Sequence, residues 1–331
     1  MNAAVITGAR GYIGSALAKR LADTGRPLRL VSRVSDAPVA PTEIMPNVEF
    51  VRADLRDERA WSDVMAGAGV IIHLSSRTDL RAAEADPAGD ERINIEPVRS
   101  LIRAAERSGT RPNVVFASTV TIVGIAHANP VDETTPDRPC SVYDRHKLTC
   151  ETLLREATAN AVLRACSLRL SNVYGYGRVS MNANRGILNS MMKRAANGEP
   201  LTVYGDGSYV RDFTHLDDVV EAFCAAAASD DVRDGSHYVI ATGKGHTSAE
   251  AFDLVAQEAL IQNGHRIEIS HVPDPADLQP IERRHFVGNS GLFQKLTGWR
   301  PQIDLRSGIR DYFVRAASLQ PLPLGGDHMT N

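Results

Sequence analysis

Short apolar runs punctuate the first half of the chain at regular intervals. Ala3-Ala4-Val5-Ile6-Thr7, Leu28-Arg29-Leu30-Val31-Ser32, Val48-Glu49-Phe50-Val51 and Val70-Ile71-Ile72-His73-Leu74 come first. Val114-Val115-Phe116-Ala117-Ser118 and Ser167-Leu168-Arg169-Leu170 follow, each run having the length of a buried strand. Helix-like segments lie between them, such as Ala60 to Ala66, Ile95 to Ser108 and Tyr143 to Thr158. This alternation predicts an α/β fold with a doubly wound parallel sheet, whose ligand crevice forms at the strand ends. Ser118 and Thr119 stand at one such end.

The second half is less regular and richer in polar turns. Gly205-Asp206-Gly207-Ser208 is a turn before Val210-Arg211-Asp212-Phe213. Helices are predicted at about Leu216 to Ala228, from the capping box Thr247-Ser248-Ala249-Glu250 through about Gln262, and near Leu305 to Ala317. The expected organisation is a dinucleotide-binding Rossmann domain over 1–174 and a smaller substrate lobe over 175–318, some of whose segments return to the sheet. A flexible tail is expected over 319–331.

At 331 residues the chain has ample material for a core. Its net charge of −3 and lack of a Lys/Arg block argue against nucleic acid or an anionic membrane as partner. With the first strand starting at residue 3, no signal peptide is expected, and no stretch approaches a membrane span. Cys140, Cys150, Cys166 and Cys224 have neither metal nor disulfide spacing, so thiols in a reducing cytoplasm and no metal site are expected.

Two patterns carry chemistry. Gly8-Ala9-Arg10-Gly11-Tyr12-Ile13-Gly14 lies between a strand and a helix, where glycines three apart let a pyrophosphate approach the helix N-terminus. Tyr143-Asp144-Arg145-His146-Lys147 sets a phenol and an ammonium four residues apart on one helical face. A lysine there favours the phenolate, which suits the tyrosine to proton transfer near neutral pH. Taken alone, the pair could equally be a surface lysine beside a half-buried tyrosine.

In order along the chain stand Gly8-x-x-Gly11-x-x-Gly14, Asp54-Leu55, His73-Leu74-Ser75-Ser76, Thr119 ahead of Gly124, and Tyr143-x-x-x-Lys147. Leu168-Arg169-x-x-Asn172-Val173-Tyr174-Gly175, Gly205-Asp206-Gly207-x-x-x-Arg211-Asp212-Phe213 and Thr297-Gly298-Trp299-Arg300-Pro301 follow. With these motifs the chain resembles the extended short-chain dehydrogenase/reductase family, in its nucleotide-sugar branch, over nearly its whole length. Arg29 to Arg33, Tyr143 to Leu148, Leu154 to Thr158, Arg185-Gly186-Ile187 and Gly198 to Thr202 are similar to dTDP-4-keto-6-deoxyhexose 4-ketoreductases of antibiotic deoxysugar pathways.

The resemblance implies roles. Thr119, Tyr143 and Lys147 would be catalytic: Tyr143 gives a proton to the growing alkoxide, Thr119 hydrogen-bonds it, and Lys147 holds the cofactor ribose. Cofactor contacts would come from Gly8, Arg10, Gly11, Tyr12, Ile13, Gly14, Ser32, Arg33, Asp54, Leu55, Leu74, Ser75 and Ser76, with Tyr143 and Lys147. Ser32 stands where NAD-dependent enzymes of this fold carry an acid, and Arg33 can clamp a 2′-phosphate, so NADP(H) is expected. Substrate contacts would be Thr119, Asn172, Thr202, Tyr204 and Arg211, the last on the diphosphate. Otherwise Arg211 would pair with Asp212 or Asp217, and Tyr204 would be core.

Sugar 4,6-dehydratases of the family carry Asp-Glu after the threonine; Val120 and Thr121 stand here, which counts against dehydration. His146 is expected to face solvent. The leading expectation is NADPH-dependent reduction of a dTDP-linked keto-deoxysugar. The alternatives are a nucleotide-sugar 4-epimerase with bound NAD and a non-catalytic NADP-binding sensor. A homodimer through the helices near Ile95 to Ser108 and Tyr143 to Thr158 is a family expectation.

Overall fold

A computed structural model describes residues 2–33, 47–125, 129–177, 186–276 and 278–318. Arg185 and the expected tail over 319–331 lie outside the described residues.

The strands in chain order are β1 (Ala3–Thr7), β2 (Leu28–Ser32), β3 (Val48–Arg52), β4 (Ala68–His73), β5 (Asn113–Thr119) and β6 (Arg164–Leu170). Then come β7 (Asn172–Tyr174), β8 (Leu201–Tyr204), β9 (Val210–His215), β10 (His237–Ile240), β11 (Gly245–Thr247) and β12 (Ile269–Val272). The helices are α1 (Tyr12–Ala22), α2 (Glu58–Met65), α3 (Leu80–Ala85), α4 (Pro87–Asn94), α5 (Glu96–Ser108) and α6 (Val142–Ala159). In the second half they are α7 (Ile187–Ala196), α8 (Leu216–Ala228), α9 (Ser248–Asn263), α10 (Gly291–Thr297) and α11 (Leu305–Ala317).

Seven strands form one sheet in the order β10-β6-β5-β4-β1-β2-β3, and every pair is parallel. The order reverses between β1 and β4, which opens the crevice at their C-terminal ends. Alternation along each strand feeds two cores. Ile6 and Ile72 pack on one face with Leu17 and Phe223, while Val5 and Ile71 pack on the other with Trp61 and Phe116. Each such side chain contributes about 1.5–3 kcal/mol by burial.

The smaller lobe has its own core, in which Leu188, Met192, Phe213, Phe252 and Phe313 surround Tyr174. Trp299 ties this end of the chain to α8: its Nε1 donates to Asp218 O at 3.0 Å, and the Asp218 carboxylate accepts the N–H groups of Gln302 and Ile303. Four-residue β10, too short to stand out in the sequence, closes the edge of the parallel sheet beside β6.

Candidate active site

At the switch point the glycine turn is held by close contacts. Gly8 has φ of +67°, and a Cβ on it would meet Ser75 N at 2.8 Å; one on Gly14 would meet Gly8 O at 2.2 Å. Helix α1 starts after Gly11 with no side-chain cap, so its first N–H groups remain available to an anion. Arg10 lines the same groove, and its buried Nη1 has no partner among the described residues. A dinucleotide's phosphates fit this donor set.

The groove, about 380 Å³, is also lined by Ser32, Arg33, Asp54, Leu55, Leu74, Ser75 and Ser76. Asp54 caps its own turn by accepting the Arg56 N–H at 3.1 Å, and its ion pair with Arg56 holds its carboxyl below the usual range. Two residues expected at the cofactor turn their side chains elsewhere. Tyr12 OH donates to Gly175 O at 2.7 Å, and Ile13 packs against the sheet core. Only their backbone remains at the α1 N-terminus.

The structure brings Thr119, Tyr143 and Lys147 together at the end of β5. Helix α6 begins one residue before Tyr143, fixed by a capping box between Ser141 and Asp144. Lys147, 3% exposed, donates from Nζ to Ala117 O at 2.8 Å and stands 5.8 Å from the Tyr143 ring centre. Thr119 Oγ1 is 2.9 Å from Thr121 Oγ1, and Thr121 in turn donates to Asp144. Beneath them Ser118 donates to Glu151, which is clamped by the buried Arg169 together with Asp137.

His146 does not face solvent. Its Nδ1 lies 2.7 Å from Oδ2 of the buried Asp90, which also accepts from Arg77 and Asn94. The reason is packing: α4 lies along this face of α6 and brings its acid to the imidazole.

A second cavity of about 870 Å³ is lined by Asn172, Thr202, Tyr204 and Arg211, all four expected at the substrate. Tyr204 is 41% exposed, so it is not core. Arg211 pairs with neither Asp212 nor Asp217; it donates to the backbone carbonyls of Val210, Glu282 and Arg284. Asp212 is turned the other way, accepting from Thr242, Gly243 and Gly288.

Arg284 is the residue the sequence reading missed. It lines the same cavity, 9% exposed, and donates to Asn172 Oδ1 at 3.2 Å and Ile281 O at 2.9 Å. Neither guanidinium has a carboxylate within ion-pair distance among the described residues. Burial pushes Arg211 down to about 9, with the neighbouring Arg284 adding to the shift, and pushes Arg284 down to about 10. Two buried cations held by neutral oxygens form a ready site for an anion. Leu80, from the same cavity wall, packs against the cluster of Val142 and Tyr143.

Comparison with known proteins agrees with this geometry. Residues 4–241 match the model of the NAD dependent epimerase/dehydratase family. The chain is 28% identical over 310 residues to a UDP-glucose 4-epimerase of Mycolicibacterium smegmatis, covering 92% of this chain and 95% of that protein. Among solved structures, UDP-glucose 4-epimerase of Thermotoga maritima with UDP-glucose superposes with a TM-score of 0.84 at 25% identity, covering 96% and 99% of the two chains. The Thermus thermophilus UDP-glucose 4-epimerase in complex with NAD gives a TM-score of 0.77 at 27% identity, covering 96% and 99%. The chain belongs to the NAD-dependent epimerase/dehydratase family.

Proposed function

We propose that this protein is a nucleotide-sugar 4-epimerase, which oxidises a ring alcohol, lets the ketone turn, and reduces it on the other face. The observation that carries the reading is the buried Tyr143–Lys147 pair, packed against Leu80 of a cavity wall that also holds Arg211 and Arg284. The relatives named as UDP-glucose 4-epimerases support it.

A nicotinamide dinucleotide bound in the first groove supplies the hydride acceptor and donor. The α1 N-terminus, Gly8, Gly11 and Arg10 hold its phosphates. Tyr143 takes the proton of the sugar hydroxyl and later returns it, while the ammonium of Lys147 favours the phenolate. Thr119 hydrogen-bonds the same oxygen. Arg211 and Arg284 hold the diphosphate, and Thr202 and Tyr204 bound the base. Arg284 is a binding residue in this scheme, alongside the expected Arg211.

The test is incubation with UDP- and dTDP-hexoses, with C4 configuration read by NMR. Interconversion of C4 epimers without net cofactor consumption supports the reading; no turnover of any member of the panel sinks it.

One observation favours a second reading. Ser32 and Arg33 line the cofactor groove where an acid would select NAD. That pair suits NADP(H), and with it reduction of a dTDP-4-keto-6-deoxyhexose. Stoichiometric loss of NADPH on mixing with a 4-keto sugar nucleotide selects the reductase; catalytic cofactor use selects the epimerase.

A further inference from the structure

His146 lies one residue before Lys147, yet its imidazole leads through α4 to the wall of the cofactor groove. Its Nδ1 is 2.7 Å from Oδ2 of the fully buried Asp90. Asp90 Oδ1 is ion-paired with Arg77 Nε at 3.0 Å, and Oδ2 also accepts from Asn94 Nδ2 at 2.9 Å. Asn94 Nδ2 donates to Arg77 O at 3.0 Å as well. Asn94 Oδ1 accepts from Arg77 N at 2.8 Å and from Ser76 Oγ at 2.9 Å. Ser76 and Arg77 line the groove itself.

Every proton in this network has one place. A carboxylate paired with an arginine only accepts, so His146 carries a proton on Nδ1 whether its ring is neutral or charged. Asn94 spends its two amide hydrogens on Asp90 and Arg77 O, and its oxygen takes the protons of Ser76 and of the Arg77 N–H. The four side chains therefore hold one another in a single arrangement.

The same wall is held from its other side by β1. Thr7 Oγ1 accepts from Leu74 N at 3.2 Å and from Ser75 N at 3.3 Å. Ser75 N also stands 2.8 Å from where a Cβ on Gly8 would be, so the wall abuts the glycine turn. The segment from Leu74 to Arg77 is thus fixed between β1 and the helices α4 and α6. On the α6 side the charged link is His146; Cys150 adds a thiol contact to Asn94 O at 3.3 Å.

We propose that His146 is a positioning residue for the cofactor: through Asp90 it holds the Ser76–Arg77 wall in register with Tyr143 and Lys147 on its own helix. The inference rests on the proposed binding of a nicotinamide dinucleotide in this groove. Proton transfer at Tyr143 and hydride transfer at the cofactor need a fixed separation, and small misplacements are costly. His146 ties the helix that carries the first to the wall that bounds the second.

The experiment titrates the full-length protein with NADH, NADPH and UDP and reads each dissociation constant separately. His146→Leu removes the donor to Asp90. Affinity for the dinucleotide that wild type binds more tightly should fall by about tenfold, the value of one hydrogen bond to a charged group. UDP affinity should not change. His146→Asn returns an amide N–H to the place of Nδ1 and should restore dinucleotide binding. Should the leucine prevent folding, the nearly isosteric Asp90→Asn carries the test. It turns an acceptor into a donor facing His146 and Asn94, and dinucleotide affinity should fall in the same way.

Unchanged dinucleotide affinity in folded His146→Leu or Asp90→Asn overturns the inference. So does an equal loss for UDP, which marks general loosening, or a failure of His146→Asn to restore binding. Wild type that binds neither dinucleotide refutes the assignment of the groove. Wild-type binding that is indifferent to position 146 refutes the role of His146 alone.

Discussion

The ammonium of Lys147 stands 4.5 Å from the centre of the Phe116 ring, inside the strand that ends in Thr119. Phe116 stacks in turn on His73 at 5.9 Å, so the lysine is seated on an aromatic floor supplied by β4 and β5. Its charge is held where it can act on Tyr143. Lys147→Met preserves the length of the side chain and removes the charge. Turnover is expected to fall by about 100-fold or more with the melting temperature little changed. Activity within a few-fold of wild type would remove the lysine from the mechanism.

Arg284 and Arg211 line the same cavity without an ion-paired carboxylate among the described residues. Arg284→Gln is expected to raise KM for the nucleotide sugar by about 10- to 100-fold, the value of about 1.5–3 kcal/mol for hydrogen bonds to a charged group. Steady-state kinetics on a nucleotide sugar check this. An unchanged KM would show that the diphosphate does not reach Arg284.

His73 gives a pH signature of stability. Burial, with the charge of Lys147 adding, pulls its imidazole from 6.5 down to about 3. The unfolded chain therefore binds the proton first. Stability from neutral His73 is present above about pH 6.5 and is lost as pH falls toward about 3, by on the order of 1 kcal/mol per pH unit. Urea unfolding of His73→Gln and wild type between those limits should show a shallower acid-side slope in the variant. Parallel slopes would contradict the assignment.

Cofactor choice is expected to turn on the end of β2. Arg33→Ala should weaken NADPH binding by about tenfold while leaving NADH binding nearly unchanged, because only one cofactor offers the guanidinium a 2′-phosphate. Equal effects in a binding titration would remove the basis of the reductase reading.

The parallel sheet was legible because its central strands are buried on both faces and read as continuous apolar runs, as at Val70 to Ile72. The glycine turn was legible too, since Gly8 and Gly14 mark backbone contacts that no other residue fits. Thr119, Tyr143 and Lys147 are separated by up to 28 positions, yet the spacing along α6 and the end of β5 brings them together. What stayed hidden depends on tertiary contact. Arg284 lies in a segment without periodicity, and only the fold carries it to Asn172 and Arg211. His146 looked exposed because nothing local reveals that α4 brings Asp90 against it. Tyr12 sits inside the cofactor motif, but Gly175, 163 residues away, draws its hydroxyl aside.

The most direct measurement is turnover of UDP-glucose and related nucleotide hexoses by wild type and by Tyr143→Phe, followed by NMR at C4 and by absorbance of reduced nicotinamide. Wild type is expected to interconvert C4 epimers of at least one of these sugars. Tyr143→Phe is expected to lose nearly all of this turnover while binding cofactor and sugar nucleotide as before. Full activity in Tyr143→Phe would contradict the proposed role of the tyrosine.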